Sequence, residues 1–352
     1  MKIQVLLKKT SEWLNGKGPE ADLVISSRIR LARNLSEYRF PWKASPKDKK
    51  DIIEKVKNAA MSSTALKDGS LSINIDELDE IDRQFLVERH LISPELASSE
   101  SGSAVVISKR ETVSIMINEE DHIRMQVMHS GLDLFEVWKT INELDSELEQ
   151  KLNFAFSSRL GYYTVCPTNV GTGIRVSVML HLPALVYTKQ ISKVLQATVK
   201  LGLTVRGLYG EGSEALGNLF QISNQATLGM SEQEIMDNII KVIRQIIMYE
   251  RNQRRYLINH NLKEVEDKVW RAYGALSHAR IISSKETIGH LSTLRMGVDL
   301  GIIDPGFRKK INDLMIMTQP ANLQKNLDRL LDSQERDFER ASLIRQFFKK
   351  GK

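Results

Sequence analysis

The chain has 352 residues, of which 41% are hydrophobic and 27% charged, a composition typical of soluble globular proteins with more than one domain. Its formal net charge of +6 fits either an anionic partner, such as a nucleotide, nucleic acid or phosphoprotein, or simply a basic solvated surface. No apolar run approaches the roughly 20 residues that cross a bilayer, and the N-terminal segment lacks the pattern of a signal peptide. The single cysteine, Cys166, excludes an internal disulfide framework and suits a reducing cytoplasm, where we expect the protein.

Strand-like runs, turns and helical stretches alternate over the first part of the chain. Residues 47–61 form a helical stretch, and residues 103–120 read as two strands around a polar turn. Residues 172–185 are rich in β-branched residues, which favours a strand, and residues 203–225 read as strand, glycine-rich loop, strand. Residues 93–104 are small and polar, and we predict a mobile loop there.

The character of the sequence changes after about residue 230. Ser231 and Glu234 form a capping-box pattern, and apolar residues then follow at helical spacing. Further helical segments continue to the C-terminus. We therefore predict an α/β or α+β domain over residues 1–255 and an all-helical domain over residues 256–352.

Five arginines lie beside turns and other polar groups rather than in exposed helical charge runs: Arg28, Arg30, Arg124, Arg175 and Arg206. Arg28 and Arg30 are separated by one residue, so in a strand their side chains share a face and can grip one phosphate from two directions. The planar guanidinium group binds phosphate oxygens in pairs. Any one of these arginines could be a surface residue or part of a structural ion pair, but the set of five favours an anion site.

Better-known signatures of phosphate and metal sites do not occur in the sequence. It has no Walker A motif, no protein-kinase glycine loop with its catalytic-loop partner, and no metal-ligand spacing. It also has no helix-turn-helix, RNP or zinc pattern, so we expect no direct nucleic-acid binding. The sequence therefore predicts phosphate binding by arginine side chains.

Four blocks of the sequence occur in the order found in the phosphagen (guanidino) kinases and resemble the signature blocks of that family: residues 26–34, 118–124, 166–178, and 206–212 with 222–225. The resemblance covers roughly residues 20–255. It implies an α+β fold, in which a catalytic domain with an antiparallel sheet flanked by helices precedes the helical C-terminal domain. It also implies ATP and Mg²⁺ as cofactors, the metal being held mostly by water and substrate oxygens and not by a protein cage.

Phosphoryl transfer to a guanidinium needs a carboxylate that orients and deprotonates the acceptor, and cations that neutralise the transferred group. The resemblance assigns Glu120 and Glu211 as catalytic carboxylates and adds Glu119 and Cys166 to the substrate side. Glu119 could instead position the water shell of Mg²⁺, and a solvated acidic turn or an inert buried thiol are the plainer alternatives. His90 matches a family histidine near the adenine. The full set that the resemblance assigns to ATP is Ser27, Arg28, Ile29, Arg30, Leu31, His90, Arg124, Arg175, Val176, Ser177, Val178, Met179, Arg206, Gly207, Leu208, Tyr209, Gly210 and Glu211.

The chain departs from the creatine and free-arginine kinases in three places. About 25 residues precede the first block, where those enzymes carry a helical domain that closes over a small guanidine, so we expect an open guanidinium side. Tyr209 stands where free-arginine kinases usually have an arginine, which puts one phosphate contact in doubt. Helices follow the catalytic domain, and near their end the segment RDFERA, residues 336–341, resembles a motif of the bacterial protein-arginine kinases, the McsB family.

This second resemblance implies a cytoplasmic kinase of arginine side chains in proteins. It implies as partners a CtsR-type heat-shock repressor and unfolded proteins as substrates, an McsA-type activator, the ClpC–ClpP protease, and a second copy of the chain in a homodimer formed through the C-terminal helices. The alternatives are a non-catalytic phosphoarginine-binding adaptor and a free-arginine kinase.

The resemblance of the RDFERA segment to the family motif implies a second, non-catalytic site that binds phosphoarginine and couples it to activity. Arg336 and Arg340 are four residues apart and share a helix face, on which both could bind the phosphate. Asp337 could bind the guanidinium, and Ala341 completes the family motif. An ordinary helix surface with an ion pair between Asp337 and Arg340 is the alternative.

Overall fold

The computed structural model describes residues 3–7, 11–207 and 216–349. The strands of this part are β1 Val24–Arg33, β2 Leu71–Asn74, β3 Ala104–Ile107, β4 Val113–Ile117, β5 Ile123–Ser130, β6 Phe156–Ser157, β7 Gly161–Tyr162, β8 Ile174–His181, β9 Leu203–Arg206 and β10 Leu219–Asn224. Eight of them form one antiparallel sheet in the order β2-β3-β4-β5-β1-β8-β10-β9, and β6 and β7 form a separate hairpin. The predicted strand pair in 103–120 and the two strands predicted within 203–225 are thus confirmed, whereas residues 208–215 of the predicted loop lie outside the described residues.

One face of the sheet is apolar, and the opposite face carries polar side chains in its middle, because side chains alternate along each strand. On β1, Ile29 and Leu31 are buried in the main core, while Arg28 and Arg30 point the other way, so the predicted shared face of the two arginines is confirmed. Because β1 lies between β5 and β8, its two arginines lie near the middle of this face of the sheet.

The helices are α1 Gln4–Leu7, α2 Pro46–Met61, α3 Glu80–Glu88, α4 Pro94–Ala97, α5 Leu134–Glu149, α6 Pro183–Tyr187, α7 Ile191–Lys200, α8 Glu232–His278, α9 Ser284–Asp299, α10 Phe307–Met317, α11 Pro320–Leu327 and α12 Ser333–Lys349. They cover both faces of the sheet. The apolar face packs against α2, α5 and the first half of α8, whose apolar side chains complete the main core. A second core joins α8, α9, α10 and α12 with Met128, Met179 and Leu219, so the C-terminal helices cover one end of the sheet face that carries the arginines.

Helix α8 joins the two parts of the chain. It starts at the predicted capping box, in which the Ser231 hydroxyl accepts from the Glu234 N–H and the Glu234 carboxylate accepts from the Ser231 N–H. The helix runs through residue 255 without interruption and leaves helical geometry only at Asn261, where φ is −133°. Within the described ranges, none of the helices combines the length and the apolar character needed to cross a membrane.

The prediction of a mobile loop over residues 93–104 is wrong for residues 94–97, which form a short helix. Ser93 accepts a hydrogen bond from the Leu96 N–H, and Pro94 follows it as the first residue of the short helix α4. A serine before a proline is a helix-start signal, which the small polar composition of the segment obscured. The consequence is that Ser93 has a fixed position beside the cavity described next.

Candidate active site

A cavity of about 1420 Å³ opens on the polar face of the sheet. It brings together residues that lie far apart in the sequence, and it is large enough for a nucleotide together with the side chain of an acceptor. The predicted site residues that line it are Arg28, Arg30, Leu31, His90, Glu119, Glu120, Arg124, Cys166, Arg175 and Arg206.

The arginines converge because their strands are neighbours. Arg30 lies directly opposite Arg175 in the register of β1 and β8, and Arg206 lies opposite Gln221 in the register of β9 and β10. Arg28 donates from Nε to Ser177 Oγ (3.3 Å) and from Nη2 to the side-chain oxygen of Gln221 (3.0 Å). These partners are uncharged, so they orient the guanidinium of Arg28 without neutralising it.

This concentration of positive charge is unfavourable without an anion. Burial, and then the charges of Arg124, Arg175 and Arg206, lower the pKa of Arg28 to about 10. Burial and the neighbouring arginines also lower the pKa of Arg30 well below its usual value. The Nε of Arg30 is buried and has no hydrogen-bond partner among the described residues. A polyanion such as a nucleotide phosphate would supply both the charge and the missing acceptor.

The acidic residues occupy the turn between β4 and β5. Asn118 adopts the left-handed conformation (φ 57°), and its N–H donates to the His122 carbonyl (3.0 Å), which closes the turn. Glu119 accepts hydrogen bonds from Arg124 and from the Ser93 hydroxyl. Burial alone would raise the pKa of Glu119, but the charge and hydrogen bond of Arg124 lower it below its usual value. Glu119 is therefore a fixed anion whose charge is already paired.

Glu120 differs from both of its acidic neighbours. It is exposed to the cavity, and no described residue forms a hydrogen bond or ion pair with its carboxylate. Burial, followed by the charge of Asp121, raises its pKa. Asp121 is buried and accepts from Asn34 Nδ2 (2.6 Å) and from the Val165 N–H (2.8 Å), so it fixes the loop that carries Cys166. Of the three acids, Glu120 alone has a carboxylate available to a substrate.

Cys166 and His90 also line this cavity. Cys166 is partly exposed, and its Sγ lies 3.0 Å from Thr168 Oγ1. His90 adopts a left-handed conformation (φ 58°) and packs edge-to-face against Trp13, with 5.4 Å between ring centroids. Burial, and then the charge of Arg28, lowers the pKa of His90 to about 3, so its ring is neutral. A neutral ring beside a phosphate-type site is compatible with contact to a nucleotide base.

The remaining residues predicted to bind ATP, together with Leu31, have other environments. Four of them have buried side chains on the apolar face, so only their backbone can reach a nucleotide: Ile29, Leu31, Val176 and Val178. Ser27 is buried and donates to the Gly131 carbonyl (2.7 Å), whereas Met179 lines a small apolar cavity behind Arg28. Gly207 is buried next to Arg206. Leu208, Tyr209, Gly210 and Glu211 lie outside the described residues.

Sequence reasoning missed three residues that hold the site together. Ser93 fixes Glu119, Gln221 fixes Arg28, and Asn34 joins the acidic turn to the Cys166 loop, because its Nδ2 also donates to the Tyr163 carbonyl (3.0 Å). Gln221 could have been found from the alternation of β10, which places it on the polar face. Nothing in the local sequence around Asn34 indicates a contact with residues more than a hundred positions away.

The RDFERA segment lies on α12, and its two arginines have different environments. Arg340 is 1% exposed and donates from Nε to the Thr318 carbonyl (2.8 Å) and from Nη1 to the Ile282 carbonyl (3.0 Å). It is also paired with Asp337, and Ala341 is buried beside it. Arg336 is partly exposed. The structure therefore places one arginine inside the helical domain and the other at its surface.

Comparison with known proteins agrees with this geometry. Residues 51–253 match the family model described as "ATP:guanido phosphotransferase, C-terminal catalytic domain". The chain belongs to this family of phosphotransferases and is a kinase. Residues 262–352 match the model described as "Protein-arginine kinase McsB C-terminal domain". Similar full-length relatives are a protein-arginine kinase of Brevibacillus brevis, 48% identical with 97% of this chain and 96% of the relative covered, and one of Bacillus cereus, 47% identical with 97% of each covered.

Solved structures show the same fold. A lombricine kinase has a TM-score of 0.57 at 23% identity, with 70% of each chain covered. A duplicated taurocyamine kinase from Schistosoma mansoni has a TM-score of 0.59 at 26% identity, with 75% of this chain and 38% of that chain covered. The predicted α+β architecture, with an antiparallel sheet, flanking helices and a helical C-terminal region, is thus confirmed.

Proposed function

We propose that this protein transfers the γ-phosphoryl group of ATP to arginine side chains of proteins. The observation that carries the proposal is a single cavity in which five arginines face a carboxylate, Glu120, that has no described partner. Such a cavity can hold a polyanionic donor and a cationic acceptor side by side. The relatives named above support a protein as the acceptor, since their similarity extends over the helical C-terminal region.

In this reaction the arginines hold the nucleotide phosphates and neutralise the charge of the phosphoryl group in transfer. Glu120 accepts hydrogen bonds from the acceptor guanidinium, orients it and takes one of its protons. The guanidino nitrogen then forms a bond to the γ-phosphorus as the bond between that phosphorus and the ADP oxygen breaks. Glu211, which lies outside the described residues, would be the second carboxylate on the guanidinium, and Cys166 would line its binding site.

Magnesium fits this cavity as a companion of the nucleotide. No group of three or more metal-binding side chains occurs among the residues of the described ranges, so a protein cage for the ion is not found there. The carboxylate of Glu119 would help to hold its water shell, which suits the strong hydration of Mg²⁺. When bound, the ion neutralises phosphate oxygens.

The C-terminal helices would form a homodimer and regulate the kinase activity. Large apolar side chains of α8 are exposed, including Met248, Tyr256 and Trp270, and a second copy of the chain would bury them in a homodimer. Arg336 and Asp337 are partly exposed and would form the phosphoarginine site of α12, with Arg340 supporting Asp337 from inside. Its ligand would be the enzyme's own product, and binding would shift activity only if one state of the enzyme binds it more tightly.

The remaining partners follow from the family resemblance. Substrates would be unfolded proteins and a CtsR-type repressor, which phosphorylation would inactivate. An McsA-type protein would activate the kinase, and ClpC–ClpP would degrade the marked proteins. The protein would then act in the cytoplasm as part of a stress response.

A comparison of acceptors tests the proposal. The protein is incubated with ATP and Mg²⁺ and either an unfolded arginine-rich protein or free arginine, and the specificity constant is measured for each acceptor. The proposal predicts a higher constant for arginine within the protein. A preference for free arginine would identify a small-guanidine kinase, and phosphoarginine binding without turnover would identify an adaptor.

A further inference from the structure

Glu88 is a buried carboxylate that the proposed reaction does not use. It is the last residue of α3 and is 2% exposed. Its Oε1 accepts from the Ala321 N–H (2.9 Å), and its Oε2 accepts from both the backbone N–H and the side-chain amide of Asn322 (2.8 Å each). All three donors belong to the first turn of α11.

This arrangement is a helix cap supplied by a distant part of the chain. The first N–H groups of a helix have no partner within it, and a carboxylate placed there satisfies them and interacts favourably with the helix dipole. The N-cap residue of α11, Gln319, forms no such hydrogen bond with its own side chain. Glu88 takes over that function from 233 residues away in the sequence.

The residues that follow Glu88 lead directly into the nucleotide side of the cavity. Arg89 is fixed by its ion pair with Glu111 (2.7 Å). His90 comes next and lines the cavity, and its carbonyl accepts from the Gln126 side chain (2.6 Å). Ser93, three residues further on, donates to Glu119. Within six residues, the chain therefore contacts the C-terminal helices through Glu88 and the candidate site through His90 and Ser93.

A second contact between the same regions lies nearby. Met315 and Ile316 of α10 line a small apolar cavity together with Arg28 and His90. The residue after α10, Thr318, receives the hydrogen bond from the buried Arg340 of α12. Glu88 thus joins the first turn of α11 to the segment of chain beside the nucleotide site.

We infer that Glu88 is a positioning residue of the nucleotide site: by capping α11 it fixes residues 88–93, so that the C-terminal helices set the affinity for ATP. The inference rests on the proposed assignment of this cavity to ATP. Glu88 lies outside the four signature blocks, so the resemblance assigns it no role in the site.

The test compares Glu88→Gln with Asp82→Asn. Asp82 also joins α3 to α11, through an ion pair with Lys325, but it is partly exposed and lies at the opposite end of α3 from His90. Glutamine keeps the size of Glu88 but turns an NH₂ group towards N–H donors, which loosens the cap. We expect Glu88→Gln to weaken ATP binding at least about fivefold, the lower end of usual couplings between sites, with the KM for the protein acceptor unchanged and Asp82→Asn close to wild type.

ATP binding is measured by calorimetry and both KM values by initial rates, with melting temperatures recorded for each variant. If Glu88→Gln fails to fold, Asn322→Ala removes one donor to the intact carboxylate and should weaken ATP binding in the same direction. Equal ATP affinity in wild type and the folded variants would overturn the inference alone, as would equal losses for ATP and acceptor. A wild-type protein that binds no ATP would overturn the proposed function as well.

Discussion

The exchange Glu120→Gln tests the role of the carboxylate that has no described partner. Glutamine has nearly the same size and can still accept hydrogen bonds at its carbonyl oxygen, but it cannot take a proton from the acceptor guanidinium. Because Glu120 forms no hydrogen bond with other described residues, the exchange should leave the neighbouring turn intact. The structural cost is therefore small, and the loss should be chemical.

The size of this loss follows from the usual contribution of a positioned general base. We expect kcat to fall by at least about 10²-fold, equivalent to about 2.7 kcal/mol in activation free energy. The dissociation constant of ATP should change little, because the nucleotide is held by the arginines. Burial and Asp121 raise the pKa of Glu120, so the wild-type rate should increase with pH as this carboxyl ionises, above the usual glutamate value. The variant should lack this acidic limb.

Steady-state kinetics with an unfolded protein acceptor provide the measurement, together with ATP binding by calorimetry. Glu95→Gln is the matched control, since Glu95 is an exposed carboxylate that lines the same cavity. It should keep kcat near the wild-type value. If Glu120→Gln retains near-full activity, or if both variants lose activity equally, Glu120 is not the base.

The other predictions concern the nucleotide side, the thiol and pH. Arg175→Ala and Arg206→Ala should weaken ATP binding and also lower kcat, since the arginines act on the ground state and on the phosphoryl group in transfer; unchanged kcat and KM would remove the residue concerned from the nucleotide site. Cys166→Ser should keep measurable activity and lose sensitivity to thiol reagents, because the chain has no other cysteine; complete inactivity would contradict this. Burial in the folded state lowers the pKa of His90 to about 3, whereas the unfolded chain binds this proton at about pH 6.5. The stabilisation by the neutral ring is therefore fully present above about pH 6.5 and is lost as the pH falls towards 3. The free energy of unfolding of His90→Gln should therefore fall less steeply over that range, by up to about 1.4 kcal/mol per pH unit; an identical slope would refute the burial of a neutral ring.

The sequence predicts best those features that depend on local pattern. Alternation along β1 predicts that Arg28 and Arg30 share a face, and the capping box predicts the start of α8 at Ser231, as the structure shows. The signature blocks also predict which residues meet, because the family resemblance carries tertiary information that periodicity does not. Of the predicted cavity residues, Glu211 lies outside the described part of the chain.

What the sequence does not predict are contacts between distant segments. Asp121 belongs to the acidic cluster by sequence, yet in the structure it is buried and fixes the Cys166 loop, leaving Glu120 as the accessible acid. Arg340 shares a helix face with Arg336 by spacing, yet it is buried against carbonyl groups of two other segments. A local pattern gives the direction of a side chain, but the partner that it meets depends on how the helices pack.

The most direct test of the central claim is the chemical identity of the product. The protein is incubated with ATP, Mg²⁺ and an unfolded arginine-rich protein, and the phosphorylated product is examined by ³¹P NMR and by mass spectrometry before and after acid treatment. We predict an acid-labile phosphate bonded to nitrogen and located on arginine residues, which Glu120→Gln forms at least about 10²-fold more slowly. Acid-stable phosphate on serine, threonine or tyrosine, or no transfer to protein under these conditions, would contradict the proposed activity.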